Sequence, residues 1–261
     1  MHNSIVTRGY LRAEKITRRF AKTFYLASLF LPKERRLSSY ALYAICRISD
    51  ESVDDCNGLN PARRLEGLKE LMESVFSGKK PEDSLLLAFL DTVNKFAIPK
   101  ERFSELISGM QMDLDKNRYH DFKELYAYCY LVAGVVGLMM VKILGAQNKE
   151  AELPAKNLGI AMQLTNILRD IKEDYRRGRI YLPIDEMQKF KITEDTIKNC
   201  EVNQEFESFM AYQIKRAREY YLESGPGIKL IAGLRGRFVA IMMREMYSGI
   251  LKEIENNGYD V

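Results

Sequence analysis

Seven prolines divide this chain, and the segments between them are long runs with helical rather than strand spacing. Proline lacks a backbone donor and clashes with the turn before it, so it suits a helix's first turn and disrupts its interior. Pro32-Lys-Glu, Pro61-Ala-Arg and Pro99-Lys-Glu therefore read as helix starts. Apolar positions recurring three and four apart predict helices over 4–19, 22–30, 33–55, 61–78, 82–96, 100–117, 122–145, 152–177, 203–223 and 235–256. Gly225-Pro226-Gly227 reads as a turn. No run alternates convincingly with period two, and no internal repeat is visible. The Asn257-Gly258 pair has no strand after it. No linker is long or biased enough to split the chain, so residues 1–261 are expected to form one all-α domain.

Composition narrows the function classes. Hydrophobic residues make up 46% and charged residues 29%, enough apolar content for a sizeable core. The net charge of +4 is spread out, with no basic block interleaved with aromatics, which argues against nucleic acid as a partner. It suits an anionic small molecule or an anionic membrane surface. Cys46, Cys56, Cys129 and Cys200 form no CxxC pair, and His2 and His120 are the only imidazoles, which argues against structural zinc. Four reduced thiols in a cytoplasmic protein is the simpler reading. The N-terminal stretch has no apolar signal core. The apolar run Leu131–Ala146 contains Lys142 and falls short of a bilayer span, so it is expected to be a buried core helix, with peripheral membrane contact left open. Nothing points to an obligate protein partner.

The 122–145 segment is apolar nearly all round and should lie centrally. Gly134 and Gly137 each cost roughly 1 kcal/mol inside a helix relative to Ala. Close helix packing would offset that cost, and so would room for a bulky apolar ligand beside Ala133, Gly134 and Gly137. Spacing alone does not choose between them.

Two segments carry the chemistry: Arg47-Ile-Ser-Asp50-Glu51-Ser-Val-Asp54-Asp55, and Gln163 to Pro183 with Asn166, Arg169, Asp170 and Asp174. Asp residues four apart lie one turn apart on one helix face and repel unless something neutralises them. Magnesium prefers oxygen ligands and binds through one or two carboxylates plus substrate phosphates. Gln163, Asn166, Asp170 and Asp174 form a polar stripe among Leu164, Ile167, Leu168 and Ile171, and buried polar groups need partners. One acidic i, i+4 pair is usually surface decoration. Two pairs in apolar helices, with Arg47, Arg169, Arg176, Arg177 and Arg179 nearby, point to a diphosphate site, because guanidinium forks match phosphate. Salt bridging to the Asp residues accounts for some of these arginines. A ferritin-like dimetal oxidase would need Glu-x-x-His pairs, which are absent, and no Walker-type or GxGxxG loop exists.

At these segments the sequence resembles the squalene and phytoene synthase family, from about Ala21 to Val261. The resemblance rests on Ala21-Lys-Thr-Phe-Tyr-Leu-Ala-Ser with Leu31-Pro32, on Tyr40 to Arg47 leading into Asp50 and Asp54, on Gly109 to Asp115, on Tyr128 to Met139, and above all on Gln163 to Pro183. It implies an isoprenoid synthase fold whose helices surround a deep apolar cavity. It further implies magnesium, with manganese as a substitute, on Asp50, Asp54, Asp170 and Asp174, joined by Asn166. Arg47, Lys22 and Arg177 would meet diphosphate. Tyr128 and Gln163 would line the reaction centre beside Asn166 and Arg169, and Tyr247 would close it. Phe20 and Ala21 stand where some relatives carry His and Ser. Glu51 replaces the commoner Asp, and the chain stops at Val261 where relatives usually continue for a short basic tail.

The implied reaction joins two prenyl diphosphates head to head through a cyclopropylcarbinyl diphosphate. Two geranylgeranyl diphosphates would give phytoene. Two farnesyl diphosphates would give presqualene diphosphate, dehydrosqualene or squalene, the last needing NADPH. No nucleotide-binding signature is present, which favours a redox-neutral outcome. A non-catalytic binding or assembly role would fit a relative that had lost its Asp residues, and all four are present here.

Overall fold

The computed structural model describes residues 2–54, 61–78, 81–146 and 148–261, and of residues 2–4 and 50–54 the backbone only. The elements follow the expected helices closely at first. They are α1 (His2–Phe20), α2 (Lys22–Ser28), α3 (Lys33–Asp54), α4 (Pro61–Phe76), α5 (Ser84–Phe96) and α6 (Lys100–Asp115). Then come β1 (Arg118–Tyr119), α7 (Phe122–Cys129), a π turn (Tyr130–Gly134), α8 (Val135–Leu144) and α9 (Glu152–Arg169). The chain finishes with α10 (Ile171–Arg176), β2 (Ile180–Pro183), α11 (Ile184–Lys189), α12 (Glu194–Asn199), α13 (Gln204–Ile228) and α14 (Leu234–Asn256).

Local chemistry sets the helix starts. The Asp83 carboxylate accepts from the backbone N–H groups of Leu85 and Leu86 at 2.8 and 3.2 Å, starting α5. Asp121 accepts from Glu124 N at 2.9 Å, and the Glu124 carboxylate accepts from His120 N at 2.7 Å, starting α7. Asn203 caps α13 through Phe206 N at 2.9 Å.

Three apolar clusters fill the fold. One joins α1, α3, α4, α5, α6 and α8. A second joins α7 and α9 to the chain from β2 through α14. A third, smaller cluster lies where α2, α8 and the facing ends of α13 and α14 meet. Helix α9 runs through the middle, packed by α8, α13 and α14. The stretch Phe122–Leu144 has the length and composition of a membrane-crossing helix, yet half of its apolar window is buried inside the protein. Lys142 is paired with Glu152 at 3.2 Å.

Three sequence expectations are corrected. Gly225-Pro226-Gly227 is not a turn but the last part of α13, which runs on to Ile228. Packing overrides the local signal, because Gly227 lies so close to Pro154 that a Cβ there would sit 2.3 Å from the proline ring. The helix expected over 152–177 is two, broken at Asp170, whose φ of −105° and ψ of 17° leave the helical region. Finally, β1 and β2 pair in parallel, and β2 is buried along its whole length, so no alternation marks it.

Candidate active site

A cavity of about 300 Å³ lies between α3, α8, α9, α13 and α14. Its wall is almost wholly apolar, with Val132, Val136, Met140, Val141, Ile228 and Met243 prominent. Ala133 and Gly137 also line it, and the π turn Tyr130–Gly134 sets the register that turns Val132 and Ala133 inward. Both explanations weighed for the glycines operate at Gly137. A Cβ there would stand 2.3 Å from the Ala155 carbonyl oxygen, so α8 and α9 touch backbone to backbone. Gly159 returns the contact, with a Cβ 2.2 Å from the Ala133 carbonyl oxygen. Gly134 is buried against Tyr130, Lys156 and Ile160, off the cavity wall, so it serves packing alone.

Polar groups gather at one end. Gln163, Asn166 and Tyr247 line the cavity there. The Asn166 side-chain oxygen is buried and has no hydrogen-bond partner. One turn on, Asp170 closes α9 with its N–H donating to the Asn166 carbonyl at 2.9 Å. The Arg169 guanidinium donates two bonds, at 2.7 and 2.6 Å, to the Asp170 carboxylate, which holds Arg169 firmly protonated. Asp174 follows one turn later. Burial, and then the negative charge of Asp170, push its carboxyl up to about 7, against the pull of Arg177 and Arg179. Burial also raises the Tyr247 hydroxyl, with Arg169 and Asp170 both close enough to act on it.

Other expected site residues lie away from the wall. The Arg47 guanidinium stacks over the Phe20 ring at 4.8 Å from its centroid. Lys22 is exposed at the start of α2. Arg177 is paired with Glu173 at 2.6 Å. Tyr128 is buried one turn before Val132, and its hydroxyl donates to Asp113 at 2.9 Å. The side chains of Asp50 and Asp54 lie outside the described residues. On α3, Ser39, Tyr43 and Cys46 line the cavity, earlier in the helix than both.

Sequence reasoning missed the group around Tyr128. Asp113 accepts from Tyr181 at 2.8 Å as well as from Tyr128, and Tyr119 stacks on Tyr181 with ring centroids 5.7 Å apart. Arg179 acts electrostatically on Tyr119, Tyr181 and Asp174 alike, so this cluster adjoins the polar end. The signal present was Asp113, within the Met112-Asp-Leu-Asp run. The Ser39, Tyr43, Cys46 spacing was equally visible.

The donor set fits a hard divalent cation. Asn166 offers an orphaned oxygen, and burial, with the adjoining Asp170 charge, raises the Asp174 carboxyl. Among the described residues no group of three or more His, Cys, Asp or Glu surrounds a metal position. Magnesium takes few protein ligands and completes its shell with water and phosphate oxygen.

A family profile described as squalene/phytoene synthase matches residues 17–261. The chain belongs to the squalene/phytoene synthase family. It is 38% identical to 15-cis-phytoene synthase of Synechococcus elongatus, over 98% of this chain and 87% of that protein. It is 41% identical to a chloroplastic phytoene synthase of an Oncidium hybrid cultivar, over 98% of this chain but 63% of that protein's length. Among solved structures, a dehydrosqualene synthase in complex with ligand superposes with a TM-score of 0.93 at 32% identity, over 99% of this chain and 90% of that one. Squalene synthase HpnC from Alicyclobacillus acidocaldarius superposes with a TM-score of 0.88 at 26% identity, over 98% of this chain and 96% of that one. The expected isoprenoid synthase fold is thus present, in a family of prenyltransferases.

Proposed function

We propose that this protein joins two geranylgeranyl diphosphates head to head to form phytoene, in the cytoplasm, with magnesium and without NADPH. The observation that carries the reading is the junction of an apolar cavity with an unsatisfied polar end at Asn166, Asp170 and Asp174. Prenyl chains fit the first and diphosphates the second. The phytoene synthases of Synechococcus elongatus and Oncidium support the twenty-carbon substrate.

Asp170, Asp174 and Asn166 would hold the cation, with Asp50 and Asp54 on α3 as the second set. Bound magnesium supplies positive charge that stabilises diphosphate as a leaving group. Arg169 orients Asp170 through its two hydrogen bonds. Arg177 and Arg179 add positive charge beside Asp174. The first C–O bond breaks with its electron pair leaving on diphosphate. The second substrate's alkene then attacks the allylic cation, and proton loss closes a cyclopropane ring. Loss of the second diphosphate, rearrangement and a last proton loss give the linear hydrocarbon. Val132, Val136, Met140 and Met243 keep water from the cations, and Gln163 and Tyr247 place polar groups in the wall beside Asn166.

The superposed dehydrosqualene synthase favours a second reading, in which two farnesyl diphosphates are joined. One assay separates them: purified protein with magnesium and either farnesyl or geranylgeranyl diphosphate, with and without NADPH, the products identified by mass spectrometry. Phytoene from the longer substrate, unaffected by NADPH, is expected. A thirty-carbon product alone would establish the second reading, and no turnover of either would refute both.

A further inference from the structure

Scattered exposed apolar side chains are ordinary on soluble proteins, but a contiguous patch is not. Leu26, Leu29 and Phe30 are exposed on one face of α2 and the turn after it. Leu234, Phe238 and Ile241 are exposed on one face of α14, with Leu234 81% exposed. Each trio follows helical i, i+3, i+4 or i+7 spacing, so each is a stripe. The stripes meet edge to face where the Phe30 and Phe238 rings stand 4.9 Å apart.

Charge within the two segments that carry the patch is of one sign, with Glu34 and Glu245 just beyond them. Residues 18–33 and 229–244 contain Arg18, Arg19, Lys22, Lys33, Lys229, Arg235, Arg237 and Arg244 and no acidic residue. The first six are exposed, and none of the six pairs with a carboxylate among the described residues. Lys22 lies one turn before Leu26 on the same helix, and Arg235 one turn before Phe238. The chain's net charge is only +4, so this concentration is local. The same two helices line the cavity from within, through Phe24 on α2 and Val239, Ala240 and Met243 on α14.

We propose that the α2–α14 face docks on an anionic lipid bilayer, its apolar stripes entering the acyl boundary and its cationic rim meeting lipid phosphates. Apolar burial and attraction to anionic headgroups together give interfacial binding that neither achieves alone. A protein partner would have to match an apolar stripe whose own two segments carry only cations, whereas an anionic bilayer presents that pairing everywhere. Docked this way, the cavity lies one helix thickness from the acyl layer. A hydrocarbon with no polar group would find its only good solvent there.

The test is flotation of the intact protein with vesicles of phosphatidylcholine alone or with about one-third phosphatidylglycerol, at low and high salt. Binding to the anionic vesicles is expected, at least fivefold above the neutral ones, and reduced by salt. Phe30→Ser/Phe238→Ser should cut it roughly tenfold, and Arg235→Glu less, and mainly at low salt. Leu234→Ser touches almost nothing and guards against misfolding in the double variant, while circular dichroism reports the fold of all three. Binding undiminished in the folded variants would overturn the proposal. So would absence of vesicle binding, including the case where the variants instead abolish self-association and show the face to be covered by a second copy.

Discussion

The cavity wall and the polar end are built on opposite principles. Along the wall, backbones approach until a single added carbon would collide, as at Gly137 and Gly159, and among the described residues there only the Ser39 hydroxyl lacks a partner. At the polar end, Asn166 has an orphaned oxygen and Asp174 carries a charge that its surroundings disfavour. Native interiors satisfy most of their polar groups, so a buried orphan on a cavity beside a disfavoured charge is a natural place for a ligand to complete the structure. Rigidity in the wall and incompleteness at the end are therefore complementary. The wall holds shape without substrate, while the end would gain stability from a bound substrate and cation.

Mutations should separate the two regions. Asp170→Asn should cut turnover at least tenfold while circular dichroism shows the fold retained. Undiminished activity would refute its metal role. Gly137→Ala should destabilise by about 1–3 kcal/mol in denaturant melts, because the new methyl meets the Ala155 backbone. Gly67→Ala on α4, with nothing within 4 Å, should stabilise by up to about 1 kcal/mol. Equal effects at the two glycines would show that the wall is not tightly packed.

Asp174→Asn should do the reverse of Gly137→Ala, losing activity while making the metal-free protein more stable. Its folded-state pKa is raised from 3.8 to about 7, so its charge costs stability increasingly as pH rises through that window. Well below pH 3.8 it is protonated folded or unfolded and costs nothing. The gain should therefore be about 1–2 kcal/mol at pH 8, after allowing for solvent screening, and shrink steadily as pH falls from 7 to below 3.8. Protons compete for the same oxygen, so the magnesium concentration needed for half-maximal rate should climb as pH falls below about 7. Tyr128→Phe should have the smallest effect, about 1 kcal/mol of stability from the lost bond to Asp113. A collapse of turnover with stability unchanged would place its hydroxyl at the reaction centre.

Much of the fold was legible because long amphipathic helices announce themselves by period. The polar stripe Gln163, Asn166, Asp170, Asp174 was visible for the same reason. The break at Asp170 was not, because no Gly or Pro marks it. The continuation of α13 through Pro226 was hidden because it depends on Gly227 meeting Pro154, a contact 73 residues away in sequence. Helices α11 and α12, of six residues each, are too short to show a period. The Asp113 tyrosine cluster joins α6, α7 and β2, which only the folded chain brings together.

The account turns on whether the polar end holds diphosphate through a cation. Titration calorimetry with a non-ionising geranylgeranyl thiodiphosphate measures this without any turnover. Binding should require magnesium, disappear with chelator, and weaken at least tenfold in folded Asp170→Asn. Equal binding with and without magnesium, or in wild type and Asp170→Asn alike, would contradict it.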